Sequence, residues 1–131
     1  MSDNTKSIEQ REQLVRSWFS AWLDRDGSQI PTIFAENAVY TECYGPQYRG
    51  RAQIERWFAD WNARGRVLEW RIKRFLHDGA SLAVEWYFAC DYDGEVSGFD
   101  GVTLVNFDSD GRIARLCEFQ SKAEHEFPYG R

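Results

Sequence analysis

Apolar side chains change their spacing along this chain, from three- and four-residue steps in the first half to two-residue steps in the second. Leu14, Val15, Trp18, Phe19, Trp22 and Leu23 fall on one face of a helix. "SIEQ" at 7–10 has the form of a capping box, with Ser7 as N-cap and Gln10 three residues on. "DRDG" at 24–27 predicts that this helix ends at a glycine. A short second helix follows, with Pro31 in its first turn and Ile30, Ile33 and Phe34 facing inward. A third is expected from about Arg51 to Arg64, with Ile54, Trp57, Phe58 and Trp61 on its apolar face and Gly65 closing it.

The second half reads as β-structure. "VLEWRIKRF", "SLAVEWYFACDY", "VSGFDGVTLVNF" and "RIARLCEFQ" are rich in β-branched and aromatic residues, and "HDG", "YDGE" and "DSDG" between them are hairpin turns. The pattern predicts four consecutive antiparallel strands, with Gly98 and Gly101 marking a bulge or bend. Three N-terminal helices packed on one face of a curled antiparallel sheet make an α+β domain spanning 1–131. The tail "KAEHEFPYGR" is polar and is expected on the surface or against a partner subunit.

One stretch interrupts the pattern. "VYTECYGPQYRG" at 39–50 starts as a strand, breaks at Gly45-Pro46, and sets Glu42 among Tyr40, Cys43, Tyr44 and Tyr48. A carboxylate among rings is partly desolvated, which raises its pKa and makes it a better base near neutrality. The alternative is a solvated strand-end acid paired with Arg49 or Arg51.

Composition narrows the function. The chain has 131 residues, 43% of them hydrophobic, with six Trp, six Tyr and nine Phe. That supply exceeds what a small core needs, and rings also line cavities and interfaces. A net charge of −5 with no basic run argues against nucleic acid as partner. No stretch is long and apolar enough for a membrane span, and the N-terminus lacks a signal peptide's apolar core. Cys43, Cys90 and Cys117 are odd in number and widely spaced, which suits buried free thiols in a cytoplasmic protein. His77 and His125 stand at no metal-ligand spacing and no glycine-rich phosphate loop occurs, so neither metal nor organic cofactor is expected.

The order of elements, with "FAENAVYTE", "YRGRAQIERWF" and "FDSDGRIARL", resembles the SnoaL-like branch of the nuclear transport factor 2-like superfamily over nearly the whole chain. The resemblance implies a cone-shaped fold whose mouth admits a small apolar molecule, and dimers. It also puts Glu42 where the related ketosteroid isomerases keep their carboxylate base. Their two oxyanion donors, a Tyr and a protonated Asp, correspond here to Trp18 and Thr103. The match keeps the base and loses the electrophile, so steroid isomerisation by the family mechanism is not expected. The Asp-Arg-Asp set of the epoxide hydrolase relatives has no convincing counterpart, whereas polyketide cyclases of the SnoaL type ask less beyond one acid.

The resulting candidates are Glu42 as base and Glu118 as a second acid, which shares a face with Leu116 if the two-residue period holds. Trp18, Tyr40, Tyr44, Trp86 and Thr103 are the expected ligand-binding side chains, with Tyr40 lending its hydroxyl to Glu42 or to a ligand. Asp100 is expected outward, and Glu85 in an ion pair with Arg71 or Lys73. The expected activity is proton transfer, cyclisation or hydration of a compact apolar molecule; the other reading is a non-catalytic ligand-binding or adaptor domain. Tyr87, Cys117 and Phe119 fall on the sheet's second face, which predicts a homodimer through that face. Sedimentation at micromolar concentration should give a dimer, and a monomer would remove the idea.

Overall fold

The computed structural model describes residues 2–121 and 125–131, with side chains from Ser7 onward. Its elements run α1 (Ser2–Asp24), α2 (Ile30–Ile33), β1 (Phe34–Thr41), β2 (Gln47–Arg49), α3 (Arg51–Arg64), β3 (Gly65–Asp78), β4 (Ser81–Tyr92), β5 (Glu95–Phe107) and β6 (Ile113–Gln120). The six strands form one curled sheet in the order β2-β1-β6-β5-β4-β3. This is the expected α+β architecture, with two further strands before α3. Every strand pair is antiparallel except β1 with β6, where Tyr40 stands opposite Leu116 and Thr41 opposite Cys117.

The helices cover one face. Phe19 of α1 stacks on Trp70 of β3, with ring centroids 3.9 Å apart, and Trp22 meets Phe58 of α3 at 4.5 Å. Trp18, Tyr40, Phe34 and Trp86 are almost wholly buried. The capping box is corrected: α1 already runs through Ser7 from Ser2, since neither Gly nor Pro interrupts 2–6. Its C-terminus is also set differently. Arg25 takes the left-handed conformation (φ 56°), and Asp26 N–H donates to Ala21 O at 2.9 Å, so a Schellman-type turn closes the helix before Gly27 is reached. Asp93 (φ 53°) and Gly94 (φ 86°) give the turn between β4 and β5 two positive φ angles, as a tight hairpin requires.

The predicted bulge at Gly98 and Gly101 is absent. β4 and β5 stay in unbroken register from Ser81↔Asn106 to Tyr92↔Glu95, and the irregularities fall in β1, in β3 and at the start of β6 instead. The glycines serve close approach. A Cβ on Gly101 would lie 2.5 Å from Phe119 O and 2.3 Å from the Trp86 indole. The break in β3 between Ile72 and Arg74 also corrects the Glu85 partner, which is Arg74 at 2.8 Å. Asp100 points outward to Lys73 at 2.5 Å, as expected.

On the outer face Phe119 is exposed, Tyr87 and Cys117 are half-buried, and Leu104, the cross-strand partner of Cys117, is exposed. Lys122, Ala123 and Glu124 of the tail lie outside the described residues; His125 to Arg131 are exposed. Among the described residues no helix is long and apolar enough to cross a membrane. Because backbone is the obstacle at Gly101, Gly101→Ala should cost about 1–3 kcal/mol of stability, read by urea denaturation. An unchanged midpoint would show that β6 can move aside.

Candidate active site

Between the helices and the sheet lies a cavity of about 500 Å³ bordered by residues of nearly every element. Trp22 contributes from α1; Trp57, Asp60, Trp61 and Arg64 from α3; Val67 and Trp70 from β3. Trp86, Phe88, Cys90 and Tyr92 come from β4, Ser97 and Phe99 from β5, and Glu118 from β6. The turn after β1 and the strand following it add Glu42, Cys43, Tyr44, Pro46 and Tyr48.

Glu42 is placed by a latched hairpin. Thr41 pairs with Gln47, Glu42 N–H donates to Pro46 O at 2.9 Å, and Gly45 N–H donates to Glu42 O at 3.1 Å. Tyr40 and Tyr48 are cross-strand partners, so Tyr40, Glu42 and Tyr48 share one face. The Tyr48 hydroxyl donates to Glu42 Oε1 at 2.6 Å, and its ring stacks on Trp57 at 4.5 Å. Arg49 and Arg51 do not reach Glu42. They bond to Gln47 and to the Pro31 and Phe34 carbonyls. Burial therefore raises the Glu42 pKa, and the Tyr48 hydrogen bond opposes it only in part.

Glu118 lies deeper. It shares the inward face of β6 with Leu116, and the irregularity near Ala114 precedes both, so it does not flip them. Trp18 Nε1 donates to the Tyr40 hydroxyl at 3.2 Å, and that hydroxyl donates to Glu118 Oε2. Burial is the chief cause that lifts Glu118 from its ordinary 4.5 to about 8, with the charge of Glu42 adding to it. The hydrogen bonds from Tyr40 and the Cys43 backbone oppose the rise and do not cancel it.

Of the expected ligand-binding side chains, Tyr44 and Trp86 border the cavity and three do not. Trp18 and Tyr40 sit behind the wall, and Tyr40 gives its hydroxyl to Glu118, not to Glu42. Thr103 is spent on accepting the Trp86 indole N–H at 2.8 Å. The positions corresponding to the isomerase oxyanion donors thus offer nothing to a ligand. Strand alternation alone would put Cys43 on the face opposite Tyr40, but the chain has entered the turn there and Cys43 borders the cavity. Burial pushes its thiol up to about 12, which makes it a poor nucleophile. Only Cys90 is fully buried; Cys43 and Cys117 are half-buried, and all three are free thiols. His77 contacts Glu12 of α1 at 2.6 Å, away from the cavity, and among the described residues no group of three His, Cys, Asp or Glu is placed to hold a metal.

Tyr48 and the Trp57–Trp61 pair were missed as site residues. Tyr48 stands as far after Tyr44 as Tyr40 stands before it, a hairpin symmetry the sequence displays. Trp57 and Trp61 read as core because a helix's apolar face looks the same whether it meets side chains or a cavity.

A buried acid with a raised pKa binds its proton more tightly folded than unfolded. Its contribution is present in full below the unfolded value and is lost as pH rises through the folded one. Stability should therefore fall between about pH 5 and pH 8, by an amount on the order of a few kcal/mol. Glu118→Gln should flatten most of that slope, leaving a smaller part from Glu42. Urea denaturation across this range reads both, and an equal slope in the variant would mean that Glu118 is ionised when folded.

The SnoaL-like domain family matches residues 15–116. No match is found among curated proteins. An LEH-like epoxide hydrolase from M. tuberculosis superposes with a TM-score of 0.77 at 19% identity, over 86% of this chain and 84% of that one. A candidate polyketide cyclase from Xanthomonas campestris gives 0.72 at 17% identity, over 88% and 93%. A protein of ketosteroid isomerase-like fold from Catenulispora acidiphila, in complex with trimethylamine, gives 0.70 at 23% identity, over 82% and 85%. At these identities the structures speak for the fold alone. The family match, covering most of the chain, shows that this protein belongs to the SnoaL-like domain family.

Proposed function

We propose that this protein is a small-molecule enzyme in which Glu42 takes a proton from a compact, largely apolar substrate. Glu118 returns or shares one, in a proton transfer, cyclisation or hydration. The observation that carries this reading is that two carboxyls border one aromatic cavity in different settings. Glu118 keeps its proton to about pH 8, while Glu42 is less deeply buried and accepts a hydrogen bond that favours its charged form. The charge of Glu42 adds to the rise at Glu118. Environments that push two acids apart are what divides a general acid from a general base.

Since Trp18 and Thr103 offer no donor to the cavity, electrophilic help falls to the Glu118 carboxyl. The cavity also argues against an adaptor with a vestigial cone: Trp57 and Trp86 form walls around open space and do not plug it. The Catenulispora neighbour of the same fold is in complex with trimethylamine, a compact organic molecule.

The test is exchange of the α-hydrogens of compact cyclic ketones for deuterium, followed by NMR. The protein should accelerate exchange for at least one ketone of the panel, and Glu42→Gln should lose that acceleration by about a hundredfold or more. Its thermal stability should be unchanged or slightly raised, because a desolvated carboxylate costs more to bury than an amide. A clear loss of stability, or exchange equal to that of the unmodified protein, would remove Glu42 as base.

A further inference from the structure

We propose that the cavity's ligand is an organic cation, a quaternary or protonated amine whose charge sits among the rings beside Glu42. The inference rests on the acid–base reading of this cavity and names the substrate class for it.

The cavity's lining includes three carboxyls, Glu42, Asp60 and Glu118, and a single cation, Arg64. Arg64 is committed elsewhere. Its guanidinium makes two hydrogen bonds to the Asp93 carboxylate and lies over the Tyr92 ring at 5.4 Å. Asp60, at the exposed rim, has Arg56 at 3.9 Å. The two inner carboxyls have no cationic partner among the described residues. The other titrating groups beside them, Tyr40, Tyr48, Tyr44 and Cys43, are all pushed upward and stay neutral.

An anionic ligand would meet these carboxyls with nothing to neutralise it. A neutral ligand would displace water and leave the Glu42 charge uncompensated, at a cost that grows with burial. A cation supplies the missing countercharge. It also meets the right surface, since an aromatic face is negative and attracts a cation within about 6 Å of the ring centroid. The stacked Tyr48–Trp57 pair carries the hydroxyl that holds Glu42, which puts such rings beside that carboxylate. Trp61 continues the wall to Tyr92, at 5.3 Å. The reaction gains as well. A positive charge near the reacting carbon makes its C–H more acidic, and the same charge favours the ionised form of Glu42.

Intrinsic tryptophan fluorescence reads binding, because five indoles border the cavity. Three probes of one shape separate charge from size. They are choline, its neutral analogue with a tert-butyl group in place of the trimethylammonium head, and the matching tert-butyl carboxylate. At about pH 9 choline should bind about tenfold or more tighter than the neutral analogue, with the carboxylate weakest. At about pH 6, where the carboxyl pair holds more protons, choline binding should weaken severalfold. Glu42→Gln, checked by circular dichroism to be folded, should cut the preference to about threefold or less.

Equal or tighter binding of the neutral analogue or the carboxylate overturns the proposal, and so does an absence of choline binding. Should the neutral analogue win while Glu42→Gln still abolishes ketone exchange, the cation falls and the acid–base reading stands. Should choline win while exchange ignores Glu42→Gln, the base falls and the cation site stands.

Discussion

Burial of the Glu118 carboxyl is the constraint around which the rest of the site is arranged. A polar group away from water costs free energy unless its hydrogen bonds are made. Here they are made by a chain of donors, Trp18 to Tyr40 to Glu118, joining α1, β1 and β6. That chain exists only because β1 lies parallel to β6 and sets Tyr40 opposite Leu116. The same pairing brings the hairpin after β1, with Glu42, to the cavity. One strand contact thus fixes both acids, and it fixes them at different depths.

The rings around the acids solve a second problem, how to keep space open between apolar walls. Trp86 turns its indole N–H to Thr103 and lies against Gly101, where no side chain competes for room. The indole nitrogens of Trp22 and Trp70 are buried without a hydrogen-bond partner among the described residues. Both rings stand edge-to-face to neighbours, Trp22 to Trp61 at 90° and Trp70 to Trp86 at 87°. That geometry lets an N–H find a π face, a weak but recurrent substitute for a conventional acceptor. A wall built in this way is held by ring against ring, so it does not need a ligand to keep its shape.

Local features of the chain were legible in the sequence, and long-range ones were not. The third helix and the four-strand meander followed from periodicity and turn residues, since each depends on neighbours within a few positions. Glu118 was placed inward by the two-residue period alone. The parallel contact between β1 and β6 left no comparable mark, because its partners lie more than seventy residues apart and no turn joins them. The destination of the Tyr40 hydroxyl was misread for that reason. Glu42 was its neighbour in sequence, but Glu118 was its neighbour in space. The glycines of β5 show the other kind of limit. A glycine in a strand signals either a bulge or a close approach, and only the position of Trp86 and Phe119 decides between them.

Among the described residues no countercharge lies beside the inner carboxyls, and this connects these observations. Nature's simplest way to hold a buried carboxylate is an arginine, and this chain has arginines within a few residues of Glu42, at 49 and 51. Both are turned away, to Gln47 and to backbone carbonyls. An arginine at Glu42 would pull its pKa down and leave a weak base beside a satisfied ion pair. A tyrosine in that place orients the carboxylate with one hydrogen bond and adds no charge. Glu42 therefore stays oriented, with its pKa raised, and borders the space that a substrate would fill. Stability is given up to keep it so, which is what the proposed role of Glu42 as a base would require.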